Sequence, residues 1–470
     1  MQSEFGTRQK WGVLVAIGIG TFMTALDISV VNTILPVIGQ TFHQAITNVE
    51  WIVTIYLLVL SGLLLSFGRL GDMRGHKAIY LAGFGIFILG SLLCGIAQSV
   101  LMLTVFRGLQ ALGAAMLAAN SPAILTKSFP SEQRGQALGL QATMTYLGLT
   151  VGPSLGGWLA SLYGWRVVFY INVPVGLVFI WLSSRFIPAD AIHQQVERFD
   201  YAGAITFLLG LGTLLLGLNQ GEEWGWTSLP ILALLVSALI LLSSFIYIEG
   251  KVKYPMLDIS LFRQLPFSAT TASAVINYIG VYSCIFLMPY YLIQGRGFTP
   301  AQAGLILSAQ PLVMAAIAPI SGTLSDRIGT RFPAVIGMAV LSTGLFLLSK
   351  LGAQSSIESI MLALAVIGLG TGAFISPNNS TLMGSAPKSR QGIAAGILAT
   401  ARNFGMVLGV GIAGAIFTTV LAHASSGSGA PVGAVQNGAI YQALETSFLV
   451  AALITILGVI TCLVRVRKTW

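Results

Sequence analysis

Two ionisable residues stand deep inside long apolar stretches, where charge is costly. Asp27 lies in Ala25-Leu-Asp27-Ile-Ser-Val-Val-Asn32-Thr-Ile-Leu-Pro36, and Arg107 in Leu103-Thr-Val-Phe-Arg107-Gly-Leu-Gln110-Ala-Leu-Gly113. An ionisable side chain in hydrocarbon costs several kcal/mol unless paired or hydrated, so both are functional candidates from their surroundings alone. At ~1.5 Å per helical residue, Asp27 is about 24 Å into its stretch and Arg107 about 21 Å from the same side. An ion pair between them is therefore within reach. A proton arriving on Asp27 would release Arg107, which makes the two a proton-coupling pair. Coupling needs only that proton affinity differ between two conformations. The alternative is a static pair that holds two helices together.

Other polar and aromatic side chains could meet a small molecule. Tyr278, Tyr282, Phe286 and Tyr290 recur every four residues on one helical face, with Asn277 alongside. Such a face suits flat or cationic compounds through stacking and cation–π contacts, although ordinary interhelical packing accounts for it equally well. Asn32, Gln110, Tyr146, Gln310, Asn378 and Asn379 complete the substrate-binding candidates. Arg402 is a second cation within an apolar stretch and reads as structural or gating. Cys94, Cys284 and Cys462 lie in apolar stretches without CxxC spacing or a neighbouring His, so neither a disulfide nor a zinc site is expected. His43, His76, His193 and His423 read as loop or boundary residues. No metal, cofactor or nucleotide site is expected, and no G-x4-GK[ST] loop is present.

The elements that position these residues follow from composition. Hydrophobic residues make up 55% of the 470 and charged residues only 8%, against about 25% in an average soluble chain. A water-facing surface cannot be built from so few charges, which excludes a soluble enzyme, a nucleic-acid binder and a disordered chain. A helix needs about 20 residues to cross a ~30 Å hydrocarbon core. Fourteen runs of that kind occur, over 11–36, 50–68, 78–98, 101–124, 136–161, 166–187, 201–219, 229–248, 267–292, 301–324, 333–350, 358–381, 392–421 and 442–464. Each is far longer than the ~10 residues of a barrel strand, so the fold class is an all-α membrane protein.

The net charge of +9 is distributed by loop. Arg166, Arg296 and Lys350 fall on one set of connections, and Arg107 and Arg402 inside runs. The rest of the 24 Lys and Arg fall on the alternate set, which includes both termini. Cytoplasmic loops retain positive charge, so the expectation is a multi-pass protein of the cell membrane with both termini cytoplasmic. The basic character is a topology signal and does not point to nucleic acid.

The chain also repeats itself. Gly68-Arg-Leu-Gly-Asp72-Met-Arg74-Gly75-His-Lys77 matches Gly322-Thr-Leu-Ser-Asp326-Arg327-Ile-Gly329-Thr-Arg331, and Pro130-Ser-Glu-Gln-Arg134-Gly135 matches Pro387-Lys-Ser-Arg390-Gln-Gly392. Gly148, Gly152 and Gly157 then pair with Gly405, Gly409 and Gly414. Two pseudo-symmetric six-helix bundles (1–187 and 266–470) account for this, with two inserted helices at 188–265. Duplicated halves place a substrate site at their interface, reached by rocking one half on the other. Gly68, Asp72, Arg74, Gly75, Asp326 and Arg327 are gating candidates in the repeated turns. Gly148, Gly152 and Gly156 share a face that permits close helix contact, Pro153 removes a backbone donor, and Gly157 adjoins them. These too are gating candidates, against a plain packing role.

In these motifs, their order and their spacing, the sequence resembles the major facilitator superfamily, and within it the fourteen-helix drug/proton antiporters. The Asp27 and Arg107 segments, Gly148-x3-Gly152-Pro153-x2-Gly156-Gly157 and Trp165-Arg166-x2-Phe169-x2-Asn172-x-Pro174 carry the resemblance over nearly the whole chain. Departures are Met73, where the loop motif usually has a basic residue, and Ala111, where Gly is common. The resemblance implies the major facilitator fold with Asp27 and Arg107 on cavity-lining helices. It also implies proton-coupled export of amphipathic drugs or other small molecules by alternating access, from a monomer in the lipid bilayer. Family members that export dications often carry extra carboxylates in the second bundle. Here Glu358 sits at a run boundary, so dications are not expected. A dedicated exporter of one metabolite, lipid or antibiotic is the nearest rival. A membrane receptor or sensor without transport, or an intramembrane enzyme, would need an output domain or a catalytic cluster that these residues do not supply.

Overall fold

The structure is a computed structural model that describes residues 7–130, 133–188, 200–252, 255–386, 391–426 and 432–464. The motif residues 387–390, together with His193, Arg198, Lys253, Arg465, Arg467 and Lys468, lie outside the described residues. Every described element is a helix or a turn, as apolar runs of this length require. Seventeen α-helices follow one another: α1 (Thr7–Phe42), α2 (Ile46–Val49), α3 (Trp51–Arg74), α4 (His76–Ile96), α5 (Val100–Ser128), α6 (Arg134–Tyr163), α7 (Val167–Tyr170), α8 (Asn172–Phe186), α9 (Tyr201–Trp224), α10 (Leu229–Glu249), α11 (Leu265–Tyr290), α12 (Pro300–Leu307), α13 (Ala309–Ile328), α14 (Arg331–Ser349), α15 (Ile357–Ser385), α16 (Gln391–Ser426) and α17 (Val432–Leu463). Thirteen helical spans, some combining two of these, are long and apolar enough to cross a membrane. The thirty-residue α6, interrupted by glycines, threonines and Pro153, packs lengthwise on α1 and is not among those thirteen, although 136–161 is one of the fourteen runs of the sequence.

Several runs differ from their expected form. The run over 166–187 divides into α7 and α8 at Ile171, and that over 301–324 divides into α12 and α13 at Ser308. α11 closes in a π turn over Tyr291–Gly295 just after Pro289, whose missing N–H cannot continue the regular ladder. At α12 the start is local chemistry: Thr299 and Gln302 form a reciprocal capping box, with Pro300 in the first turn. The repeated turns are equivalent in backbone. Gly75 has φ 96° and Gly329 φ 88°, a left-handed conformation that a side chain would strain.

Packing follows the repeat. α1 lies on α6, α4 on α5 and α3 on α5; in the second half α11 lies on α16, α13 and α14 on α15, and α14 on α17. The pair α9–α10 packs through α9 against both α3 and α16, and so touches both halves. The turns at Gly75 and Gly329 mark one end of the bundle, the basic end; α2, the α5 start and the α12 start mark the far end.

The glycine motif divides by position. Ideal Cβ atoms at Gly148, Gly152 and Gly156 would lie 2.6 Å from Phe22 O, 2.5 Å from Ser29 Cβ and 2.6 Å from Val30 Cγ1, all on α1 within the same half. At Gly157 a Cβ would lie 2.1 Å from Pro300 O, and one at Gly304 would lie 2.0 Å from Pro153 O, across to the other half. Ser154 and Ser308 share a hydrogen bond of 2.7 Å on that seam. Their counterparts divide likewise: Gly405 and Gly409 meet α11 backbone in their own half, whereas Gly414 meets Glu50 of the first half. Thus Gly148, Gly152 and Gly156 seat α1 within one bundle, and only Gly157 and Pro153 lie between halves. Gly152→Val should cost about 1–3 kcal/mol by overpacking against Ser29, read as a lowered melting temperature in detergent, with Gly152→Ala nearer wild type.

Candidate functional site

Asp27 and Arg107 meet as their depths require. Arg107 Nη1 donates to Asp27 Oδ2 at 2.5 Å and to Gln110 Oε1 at 2.6 Å, and its Nε donates to the Ile52 carbonyl at 3.3 Å. The other carboxylate oxygen, Oδ1, accepts from Gln110 Nε2 at 2.8 Å and Asn172 Nδ2 at 3.1 Å. Gln110 Nε2 also donates to Ser91 Oγ at 2.7 Å. Five helices contribute: α1, α3, α4, α5 and α8. The guanidinium lies 4.0 Å over the Tyr56 ring, which adds a cation–π face to a charge already paired. Asp27 and Arg107 are both buried.

This arrangement corrects one expectation. Gln110, taken as a substrate-binding residue, is fully occupied by Asp27, Arg107 and Ser91 and touches no open space. Asn172, which carried no assigned role in the sequence, completes the carboxylate's shell, and Ser91, likewise unassigned, accepts from both Gln110 and Asn172 behind it. A narrow crevice lined by Leu26, Asp27, Val30, Leu155, Leu159, Val168, Ile171 and Asn172 reaches the carboxylate from the far-end side. Its volume of about 10 Å³ has room for roughly one water and none for a drug.

Most other substrate candidates are enclosed in this conformation. Asn32 donates to the Ile28 carbonyl of its own helix at 2.8 Å, and Asn378 to the Thr270 carbonyl at 3.3 Å. Asn277, Tyr282, Phe286 and Gln310 are buried, Gln310 against Cys284. The Tyr278-to-Tyr290 face is therefore not a continuous open stripe: Phe286 and Tyr290 pack edge-on at 5.6 Å and Tyr290 faces Phe417. Tyr146, Tyr278 and Asn379 remain half-buried. Tyr146 of α6 and Tyr278 of α11 gather around Arg402 of α16, joining the two halves at one place, with the Arg402 guanidinium at the Tyr278 hydroxyl. Arg402 Nε is buried without a hydrogen-bond partner among the described residues. Sequence reasoning set Arg402 apart from the ligand site. Its signal, a lone cation in an apolar run with aromatic residues elsewhere, gives no hint of which rings it meets.

The repeated turn at the basic end is also built. Asp72 and Arg74 are exposed; Asp72 lies 3.2 Å from His76 Nε2, and His76 Nδ1 shares a 2.7 Å hydrogen bond with Asn120 Oδ1. His76 is buried, although it begins its helix as a boundary residue should. Gly68 has open space around it; the tight position is Gly71, where a Cβ would lie on Asn120 Oδ1. Arg327 is exposed, Asp326 occupies the last turn of α13, and the Asp326 side chain lies outside the described residues. Among the described residues no cluster of three or more His, Cys, Asp or Glu could hold a metal ion.

One family model matches most of the chain. It is that of the Major Facilitator Superfamily, over residues 17–262 and 270–469. The chain belongs to the major facilitator superfamily. This facilitator is 33% identical to the riboflavin transporter RibZ of Clostridioides difficile, over 98% of the chain and 99% of that protein. It is 32% identical to the multidrug resistance protein Stp of Mycobacterium tuberculosis, over 87% and 76%. Among solved structures, a bacterial homologue of the lysosomal transporter Spinster, inward-facing and unoccupied, superposes with a TM-score of 0.71. The match covers 99% of this chain and 100% of that one at 16% identity, a likeness of fold. The protein is a multi-pass membrane transporter of this superfamily.

Removing one partner of a buried ion pair leaves an uncompensated charge. Arg107→Ala should therefore destabilise the folded facilitator by about 3–5 kcal/mol, and the double variant Asp27→Asn/Arg107→Met by clearly less. Thermal unfolding of the purified variants gives both numbers; equal losses would mean that the pair is not coupled.

Proposed function

We propose that this transporter is a proton-coupled antiporter of the fourteen-helix drug/proton branch, exporting planar amphipathic compounds by alternating access. The supporting observation is the Asp27 site: a buried carboxylate held by Arg107, Gln110 and Asn172, beside a crevice the size of one water. Such a site suits a proton and is too tight for cargo. Protonating Asp27 removes the charge that holds Nη1 of Arg107, and freeing that fork loosens α1, α5 and α8 from one another. Two conformations that arrange these helices differently would then differ in proton affinity, which is all that coupling requires.

Cargo is assigned to the meeting place of Tyr146, Tyr278 and Arg402, where both halves contribute and rocking would change the contacts. Aromatic rings flanking a guanidinium suit flat ring systems with a polar or acidic edge. The basic end is assigned to the cytoplasm, in the cell membrane, from the charge asymmetry of the loops. The protein acts as a monomer without a cofactor in this reading. Its units are the bundles 1–187 and 266–470, with 188–265 inserted.

A dedicated single-metabolite carrier is the second reading. It is favoured by the end-to-end match to a riboflavin transporter, since riboflavin is itself a planar compound with a polar rim. A transport panel in proteoliposomes separates the two: several unrelated dyes and antibiotics moving at comparable rates support the first, one flavin-like compound alone the second.

Asp27→Asn should reduce substrate-driven proton release from the purified protein to background while substrate still binds. Undiminished release would remove Asp27 from the proton path. Tyr278→Ala and Arg402→Gln should each weaken substrate binding by roughly 1–2 kcal/mol, as loss of a stacking or charged contact does, and leave proton release per bound substrate unchanged. Binding isotherms and a pH-indicator dye read the two quantities on the same samples.

A further inference from the structure

Glu50 stands at the far end, between α2 and α3, and is buried to 1% exposure. Its backbone is helical (φ −61°, ψ −26°) and its side chain caps nothing. Both carboxyl oxygens are buried without a hydrogen-bond partner among the described residues. Directly across the seam is Gly414 of the other half, where an ideal Cβ would lie 2.3 Å from Oε2 and 2.7 Å from Oε1. The carboxyl therefore fills the space that the absent Gly414 side chain leaves.

Its surroundings offer no cation. α9 presents Asn219, whose amide adjoins the carboxyl and whose own Oδ1 is buried and unpartnered. The Asn219 Nδ2 also donates to the Thr47 carbonyl at 3.3 Å. α11 presents Tyr290, with a buried, unpartnered hydroxyl. Further along α9 are Glu222 and Glu223, which are like charges, and His423 of α16 is about nine residues, roughly 13 Å, beyond Gly414. On α1 and α5 the charged groups at membrane depth are Asp27 and Arg107, already bound to each other. The charges of α3 and α4 (Arg69, Asp72, Arg74, His76 and Lys77) are at the basic end. An ionised carboxylate enclosed in this way would forfeit its hydration with no partner in return, which the neutral acid avoids.

We propose that Glu50 is a second proton-binding site, which locks the far end of the transporter. The carboxyl carries its proton while the halves meet at Gly414. It gives that proton to water, leaving the hydrated carboxylate, when they part. Acid on the far side then favours closure there, and base favours opening. This proton returns to the side it came from, so it sets the gate and adds nothing to the protons exchanged for cargo. The inference rests on alternating access and is independent of Asp27.

Spin labels at Leu101→Cys and Gln354→Cys, exposed far-end positions on the two halves, report the gate by pulsed dipolar spectroscopy. The native Cys94, Cys284 and Cys462 are buried. Raising pH from about 5 to about 9 should move the labels apart and raise the open-to-closed ratio at least ~tenfold. Glu50→Gln should hold the short distance throughout, and Glu50→Asp should keep a pH response. Gly414→Ala, which places a methyl in the carboxyl's seat, should favour the long distance at every pH. A Glu50→Gln protein that opens with pH as wild type does, or one open throughout, overturns the assignment, as does a wild type indifferent to pH. Because the measurement uses no substrate, it stands apart from proton release in Asp27→Asn: either reading can fail while the other holds.

Discussion

Hydrocarbon solvates no charge, so each ion that a membrane helix carries inward must find its counter-ion in the protein. The Asp27–Arg107 pair answers that demand and organises the first half in doing so. Two unit charges 2.5 Å apart, with Gln110, Asn172, Ser91 and the Ile52 carbonyl around them, tie α1, α3, α4, α5 and α8 to one point. The apolar residues of these helices are interchangeable with lipid as neighbours; the pair is not. Hydrophobic burial drives little of the assembly of such a bundle, and fixed polar contacts together with close packing decide which helix sits where.

Close packing is the second constraint, and the repeat shows how it is shared out. Glycines at four-residue spacing let α6 lie close against α1, and their counterparts let α16 lie against the α11 backbone, in each case within a half. Further along, the same helices present Gly157 and Gly414 to the opposite half. Tight seating holds each bundle together, while at the seam Gly157 meets the Pro300 backbone and Gly414 leaves the space that the Glu50 carboxyl fills.

Much of this was legible in the residue order. Fold class and the Asp27–Arg107 meeting followed from run length, rise per residue and the cost of buried charge, all of which act along the chain. The breaks at Ile171 and Ser308 have a local cause that counting runs passes over: Pro174 and Pro311 have no N–H for the carbonyls of Tyr170 and Leu307, four residues earlier, where α7 and α12 end. The fate of Gln110 was missed for a different reason: an amide in an apolar run is equally suited to a ligand and to a neighbouring ion, and only the angular position of Asn172 and Ser91 decides. The split of the glycine motif between α1 and α12 likewise depends on which helix lies on which face, which spacing alone does not specify. Glu50 opens an apolar run at the boundary where charged residues usually meet water. The one available signal was that no Lys or Arg lies within a turn of it on either side.

The contrast between Asp27 and Glu50 bears on how alternation is driven. Asp27 is satisfied three times over in the conformation described, so its ionised form is built into the closed far end. Glu50 has no cation and only the Asn219 amide beside it, so its ionised form is built out of it. A conformation that opens the far end reverses the second condition by admitting water to Glu50, and water reaching Asp27 through the Leu155–Leu159 crevice would weaken the first. In the cycle proposed above, the two carboxyls therefore respond in opposite senses to the same movement. A carrier with one such group would drift with pH toward a single state; two of opposite sense keep both states within reach over a range of pH, which is the condition for a cycle to turn.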